Sequence, residues 1–191
     1  MKQKPVTENK RKDLRIQKTK NALTDAFYAL MKQKNFEKIT VDEICSSAMV
    51  SRPAFYTHFE DKYDFFDYAS NRILQQFSAP SSGYGETINH LLDFLDENED
   101  VVNSFYRSSS NSILMGIITE NISTMLRNHV EQDIKSGVSY TAPPEIIVPT
   151  FTGALTGVCG WWVSSGRKVP KEEIVAALKD MLDKLIDRQC E

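Results

Sequence analysis

The residues best placed to do chemistry lie in one short run, Ser51-Arg52-Pro53-Ala54-Phe55-Tyr56-Thr57-His58-Phe59, followed closely by Lys62. If the run is helical with Val50, Phe55 and Phe59 turned inward, then Arg52, Pro53, Tyr56, Thr57 and His58 share the outer side. That side carries hydrogen-bonding groups but no nucleophile paired with a base, so its chemistry is recognition. Arg52 can bond a guanine through two N–H groups, and Thr57 can offer its hydroxyl to a phosphate or its methyl to a thymine. Tyr56 and His58 can donate to backbone phosphates. Lys62 begins the next helix, where free amides already favour an anion, and is expected to clamp a phosphate.

Two elements must hold these side chains. Thr40 followed by Val41-Asp42-Glu43 fits a capping box, in which the Thr hydroxyl takes an amide of the first turn and the Glu reaches back. A short helix follows, with Val41, Ile44, Cys45 and Ala48 on one face. Met49 and Val50 interrupt the pattern. Ser51 restarts it as a second N-cap, with Pro53 in the first turn, where a missing N–H is harmless. Two short helices joined by a tight turn form a helix-turn-helix. A second helix of about eight residues, roughly 12 Å long, suits a major groove about 12 Å wide.

The periodicity elsewhere is also helical, giving an all-α chain of about nine helices with no strand expected. Residues 1–12, with Lys2, Lys4, Lys10, Arg11 and Lys12 against Glu8, are expected to form a flexible basic arm; Arg11 and Lys12, with Lys18, extend its reach toward phosphates and a minor groove. Helices are expected at about 13–34, 41–48, 52–59, 61–77, 86–97, 101–106, 112–135, 144–165 and 171–189. The clearest loop is Ala79-Pro80-Ser81-Ser82-Gly83-Tyr84-Gly85. The organisation expected is a basic arm with a helix-turn-helix domain over 1–62 and a helical regulatory and dimerisation domain over 63–191.

Charge sharpens that division. The 191 residues carry a net −3, which alone argues against a nucleic-acid partner. Split after residue 80, however, the chain holds 14 Lys/Arg against 10 Asp/Glu and then 9 against 16, so a basic part is averaged with an acidic one. Cys45, Cys159 and Cys190 have no ligand-like spacing, so neither a disulfide framework nor a metal site is expected, and a reduced cytoplasmic setting is the simplest reading. The Lys-rich start leads into no apolar segment and does not read as a secretory signal. Ile146–Gly166 runs 21 residues without a charge, long enough for a membrane span, but its Pro149, glycines and hydroxyl residues fit a helix packed against protein. There is no phosphate loop, no HExxH and no nucleophile elbow, and the three histidines are scattered, so neither an enzyme nor a cofactor is expected.

The stretch Ile39-Thr40-Val41-Asp42-Glu43-Ile44 through Ala48-Met49-Val50-Ser51-Arg52-Pro53-Ala54-Phe55-Tyr56-Thr57-His58-Phe59-Glu60-Asp61-Lys62 resembles the DNA-binding domain of TetR/AcrR-type transcriptional regulators, over roughly residues 12–65. The resemblance implies a homodimer on a palindromic operator in double-stranded DNA, with contacts at Thr40, Ser51, Arg52, Tyr56, Thr57, His58 and Lys62. It also implies release by a small molecule, of unknown class, that enters the C-terminal domain. Met49 departs from the pattern, which most often has Gly, and implies an altered or strained turn. Trp161-Trp162-Val163-Ser164-Ser165-Gly166 is similar to a subgroup that includes a dihydroxyacetone-kinase regulator acting as an activator.

In the C-terminal half, Gly153, Gly157 and Gly160 form a face that another helix could approach closely, and the last helix carries an apolar stripe. Together with Trp162, Ile174, Leu178, Met181 and Leu185 they are expected at a four-helix dimer interface. The alternative is that both helices only close the core of one chain. Phe77, Phe94, Phe105, Tyr106, Tyr140, Phe151 and Trp161 are candidate linings of a ligand site, or else core aromatics. The function expected is a ligand-responsive regulator, a repressor. The alternative is an activator of the same fold, or one controlled by a protein partner.

Overall fold

A computed structural model of the chain describes residues 6–77, 84–106 and 110–187, with side chains over 13–76, 84–105 and 110–185. Among these, nine α-helices account for nearly all of the regular structure, as the all-α reading expects: α1 Val6–Met31, α2 Val41–Ser47, α3 Arg52–Tyr56, α4 Lys62–Phe77, α5 Tyr84–Glu97, α6 Glu99–Tyr106, α7 Asn111–Lys135, α8 Pro144–Ser164 and α9 Lys171–Asp183. A single 3-10 turn at Phe36–Lys38 links α1 to α2. The chain clusters into two compact units, one of residues 1–66 with 100–112, the other of 67–99 with 113–191.

The first unit is built on phenylalanine. Phe65 from α4 meets Phe27 of α1 at 5.5 Å, Phe55 of α3 at 5.5 Å and Phe59 at 4.9 Å between ring centroids, all near edge-to-face. That geometry sets the positive ring edge against the negative face, adding about 0.5–1.5 kcal/mol per pair to plain burial. Phe36 extends the cluster to Phe27 and Phe66, and Phe105 of α6 stacks on Phe66. The Ser104 hydroxyl donates to the Lys34 carbonyl at 3.0 Å, fixing α6 at the end of α1.

The second unit pairs α5 with α9 and α8 with α9. Ile88 and Leu92 of α5, Phe151 and Leu155 of α8, and Ile174 and Leu178 of α9 are all buried in its core. By length and composition α8 could cross a membrane, yet Ile147, Val148, Cys159, Trp162 and Val163 are also buried within the unit. Short strands β1 (Ser139–Tyr140) and β2 (Ile186–Asp187) pair antiparallel.

Four segments depart from the sequence reading. Tyr84 and Gly85 of the expected loop begin α5, and the rest of that loop lies outside the described residues. Helix α1 begins at Val6, so part of the expected arm is helical; the stretch after Pro5 holds Glu, Lys, Arg and Gln, all good helix formers, with no glycine or proline to stop it. Helix α3 ends at Tyr56, because the next turn tightens as His58 and Phe59 both donate to the Phe55 carbonyl. The last helix ends at Asp183, and β2 replaces its expected continuation.

Helices α2, α7 and α8 end in one way. Beyond each, a residue with positive φ turns the chain, and two backbone N–H groups close onto the last turn. Gly137 (φ 93°) and Gly166 (φ 75°) serve α7 and α8, but Met49 (φ 53°) serves α2. Its N–H donates to the Ser46 carbonyl at 3.2 Å, and the Val50 N–H to the Cys45 carbonyl at 2.9 Å. The departure from glycine therefore keeps the turn and strains it, since a left-handed residue with a Cβ costs about 1–2 kcal/mol. Met49 is 94% exposed, so its side chain returns almost nothing through burial. Met49→Gly is expected to raise the unfolding free energy by about 1 kcal/mol, net of glycine's added chain entropy, in urea denaturation; an unchanged or lowered midpoint would refute the strain.

Candidate nucleic-acid interface

The capping box is complete. The Thr40 hydroxyl accepts from the Glu43 N–H at 3.2 Å, and the Glu43 carboxylate accepts from the Thr40 N–H at 2.9 Å. The Lys34 ammonium also bonds Glu43. That bond first, then those to Thr40, hold the Glu43 carboxyl down at about 2. Helix α2 is thus fixed at its start, and the turn at Met49 directs the chain into α3. There the Ser51 hydroxyl accepts from the Ala54 N–H at 3.4 Å, while Phe55 is fully buried. With Phe55 anchored inward, Ser51, Arg52, Pro53, Tyr56 and Thr57 are exposed and His58 half-buried, on the outer side where the spacing places them.

The outer groups are not equally available. Arg52 pairs with Asp42 of α2, Nε to Oδ1 at 2.8 Å, and its guanidinium lies 5.8 Å from the centre of the Tyr56 ring. The Tyr56 and Asp42 side chains push its pKa further up, so the charge is permanent. Thr57 donates its hydroxyl to the Pro53 carbonyl at 2.8 Å, which leaves it an acceptor and a methyl, and removes its expected hydroxyl bond to a phosphate. Thr40 is exposed at the start of α2. The Arg11 and Lys12 side chains lie outside the described residues.

Lys62 requires a correction. Its ammonium does not face outward to clamp a phosphate: it donates to the Phe36 and Ile39 carbonyls, both at 2.8 Å, and lies 4.2 Å from the centre of the Phe36 ring. The Phe36 carbonyl already accepts the 3-10 bond from the Ile39 N–H at 3.1 Å, and the long lysine stem reaches back from α4 to add a second donor there and one at the Ile39 carbonyl. Burial lowers the Lys62 pKa, and Glu37 and Glu43 offset part of the shift.

Two family models match the sequence. The one described as bacterial regulatory proteins of the tetR family covers residues 23–69, which spans α2, α3 and the Phe65 cluster. The one described as transcriptional regulator C-terminal region covers residues 84–184. The chain belongs to the TetR family. Members of this family are DNA-binding transcription factors, not enzymes, and typically bind as dimers. Among solved structures, the dihydroxyacetone kinase operon activator DhaS shares 18% identity at TM-score 0.63, over 86% of this chain and 93% of that one. A TetR transcriptional regulator from Streptococcus agalactiae shares 20% at 0.60, over 91% and 98%. NalD, the secondary repressor of the MexAB-OprM multidrug efflux pump in Pseudomonas aeruginosa, shares 15% at 0.57, also over 91% and 98%. At such identities these structures speak for the TetR fold. No curated protein matches the sequence significantly.

In the second unit the expected ligand linings do not gather. Phe105 belongs to the first unit against Phe66, Phe151 is core beside Tyr84, Phe94 is half-buried, and Trp161 is half-exposed on the surface. Phe77 and Tyr106 have side chains outside the described residues. A cavity of about 240 Å³ lies between α4 and α7, with Asn71, Gln75, Asn121, Asn128, His129 and Gln132 among its lining. His129 Nδ1 is 2.9 Å from the Met125 carbonyl, which can only accept, so Nδ1 carries a proton and Nε2 is the acceptor when the ring is neutral. Beside it, the Tyr84 and Tyr140 hydroxyls both donate to Asp133 Oδ2, at 2.7 and 2.6 Å. Burial above all, with these bonds, pushes both phenols well above the usual tyrosine range. Of this cluster the sequence marks only Tyr140, as a candidate lining; Tyr84 and Asp133 lie 56 and 7 residues from it and follow no motif.

The surface of α8 and α9 also differs from expectation. Trp162, Ile174 and Leu178 are buried within the unit rather than offered to a partner; the Trp162 indole donates to the Val169 carbonyl at 2.8 Å. Gly153, Gly157, Trp161 and Met181 are exposed, with Gly160 and Leu185 half-buried.

Lys62→Met keeps the stem over Phe36 and deletes the ammonium. It is expected to lower the unfolding free energy by about 1–3 kcal/mol, because the Ile39 carbonyl loses its Lys62 donor and the Phe36 carbonyl keeps only its backbone bond. The slope of log affinity for DNA against log salt should stay unchanged. A slope reduced by about one with stability intact would restore the phosphate role.

Proposed function

We propose that this TetR-family chain binds a palindromic operator in double-stranded DNA as a homodimer, and that a small molecule entering the second unit releases it, which is the action of a repressor. Residues 1–62 serve as the DNA-reading part and 63–191 as the regulatory and dimerising part. The observation that carries the reading is the outer side of α3, where Arg52 and Tyr56 stand exposed above the buried Phe55. In this reading Arg52 meets a base edge, while Ser51, Tyr56 and His58 meet phosphates and Thr40 joins them from α2. Thr57 presents its methyl, and Arg11 and Lys12 supply electrostatic reach.

Exposed Gly153 and Gly157 support dimerisation through α8. Among the described residues, a Cβ on either would meet nothing within 4 Å, so the absence of a side chain there serves no packing within them. Trp161 and Met181 flank that surface with exposed apolar area. The amide-rich cavity between α4 and α7 supports a small effector that makes hydrogen bonds without a charge partner, since among the described residues no Asp, Glu, Lys or Arg lines it. The name of one structural neighbour, an operon activator, favours a second reading in which bound DNA is activated. Either output is exerted in the cytoplasm, where the DNA is.

Selecting a binding site from random duplexes tests the reading. Two half-sites about one helical turn, or 34–36 Å, apart should emerge, bound by two chains in sedimentation equilibrium. Arg52→Ala should lose about 1–3 kcal/mol and relax selection at one base pair of each half-site. A site without symmetry bound by one chain would remove the dimer, and failure to select any site would remove the DNA reading. For the effector, a metabolite that raises the melting temperature of the wild type should no longer do so in Thr124→Trp, which fills the cavity while operator binding persists. A shift retained in that variant would place the ligand elsewhere.

A further inference from the structure

An acidic residue stands where a DNA-reading surface should carry none. Asp42 is the second residue of α2, and its side chain is 60% exposed beside the equally exposed Arg52. Its charge opposes every phosphate that approaches, so it weakens attraction to any duplex regardless of sequence. Its place in the first turn of α2 gains a carboxylate only the small favour of the helix dipole, and the capping box is made by Thr40 and Glu43 without it. Fold stability does not account for it, because an exposed ion pair in water contributes little. Both carboxylate oxygens face Arg52 across the turn, Oδ1 at 2.8 Å from Nε and Oδ2 at 3.4 Å from Nη1.

Resting on the DNA-binding reading above, we infer that Asp42 is a positioning residue that determines specificity, holding the Arg52 guanidinium against the Tyr56 ring so that it reaches one base pair and not its neighbours. An arginine on its own has many rotamers, and from the first position of α3 it could contact several bases or a phosphate. Held between a carboxylate and an aromatic face, it meets the groove in fewer orientations, with part of its side-chain entropy already lost. The same carboxylate repels backbone phosphates, so duplexes that do not present the matching base gain less. Asp42 thus acts twice: its geometry raises discrimination, and its charge lowers non-specific affinity.

The full-length chain and its selected operator provide the test. Binding is measured for the operator, for a variant changed at the base pair that Arg52 reads, and for an unrelated duplex. Asp42→Asn should bind the unrelated duplex several-fold more tightly and discriminate about tenfold less between operator and variant. Asp42→Glu keeps the charge but moves the carboxylate by one methylene; it should keep non-specific binding low while discrimination falls. In an Arg52→Ala background, Asp42→Asn should leave discrimination at that position unchanged. Discrimination equal to wild type in Asp42→Asn overturns the inference, as does an equal loss of affinity for all three duplexes together with a lowered melting temperature. A wild-type chain that prefers no duplex overturns the DNA-binding reading itself and is told apart by that result.

Discussion

Everything presented by α3 depends on two phenylalanines gripping a third. A helix of five residues is far too short to persist in water, where the first turn fixes several dihedrals for a single hydrogen bond. It exists because Phe55 and Phe59 pack on Phe65, which is anchored in the sixteen-residue α4 and faces Phe27 of α1. These rings are nearly or wholly sealed from water. Burying one such ring contributes about 1.5–3 kcal/mol, so the hydrophobic effect at two positions sets the orientation of the polar ones between them. The order of residues does the rest: Tyr56 turns about 100° away from Phe55, and Arg52, four residues before Tyr56, lies beside it so that one can stack on the other.

The polar groups of the first unit divide between holding the fold and facing solvent, and residue type does not decide which. Two lysines are spent on structure: Lys34 on Glu43, and Lys62 on carbonyls of the 3-10 turn. What remains on the outer side of α3 is one arginine, itself paired with Asp42. In the proposed reading, non-specific attraction to DNA therefore falls to the basic residues of α1 and its approach, since residues 1–38 hold 11 Lys/Arg against 4 Asp/Glu. The recognition helix contributes selectivity through geometry.

Where caps and breakers are local, the sequence was readable almost to the residue. Thr40 with Glu43, Ser51 with Pro53, and Pro143-Pro144 each mark a helix start within one turn, and Gly137 and Gly166 mark two ends. Position on a face was readable in α3, whose polar and apolar residues alternate at helical spacing. It was not readable in α8, which beyond Glu145 in its first turn has no charge to mark an outside, and there Trp161 and Trp162 exchange the sides expected of them. Contacts made through backbone carbonyls were invisible as well, because no side-chain pattern announces that Lys62 will reach back 23 and 26 residues. The cavity was sought among aromatics, whose large apolar area instead drew them into the cores, leaving carboxamides around the open space. The grouping of 100–112 with the first unit has no linear signature either, since it arises from Phe105 stacking on Phe66.

The pairing of α5 with α9 has a consequence for how the chain is born. As synthesis proceeds from the N-terminus, every segment of the first unit exists once residue 112 has been made, and many of its ring contacts join residues close in sequence. The second unit cannot close then, because Ile88 and Leu92 of α5 lack the helix at Lys171–Asp183 that covers them. Non-local partners of this kind form late, and until they do the apolar faces of α5 and α8 are open to solvent and to other chains. The segments that complete the helix-turn-helix unit are thus all made well before α9, the last helix that the larger core requires.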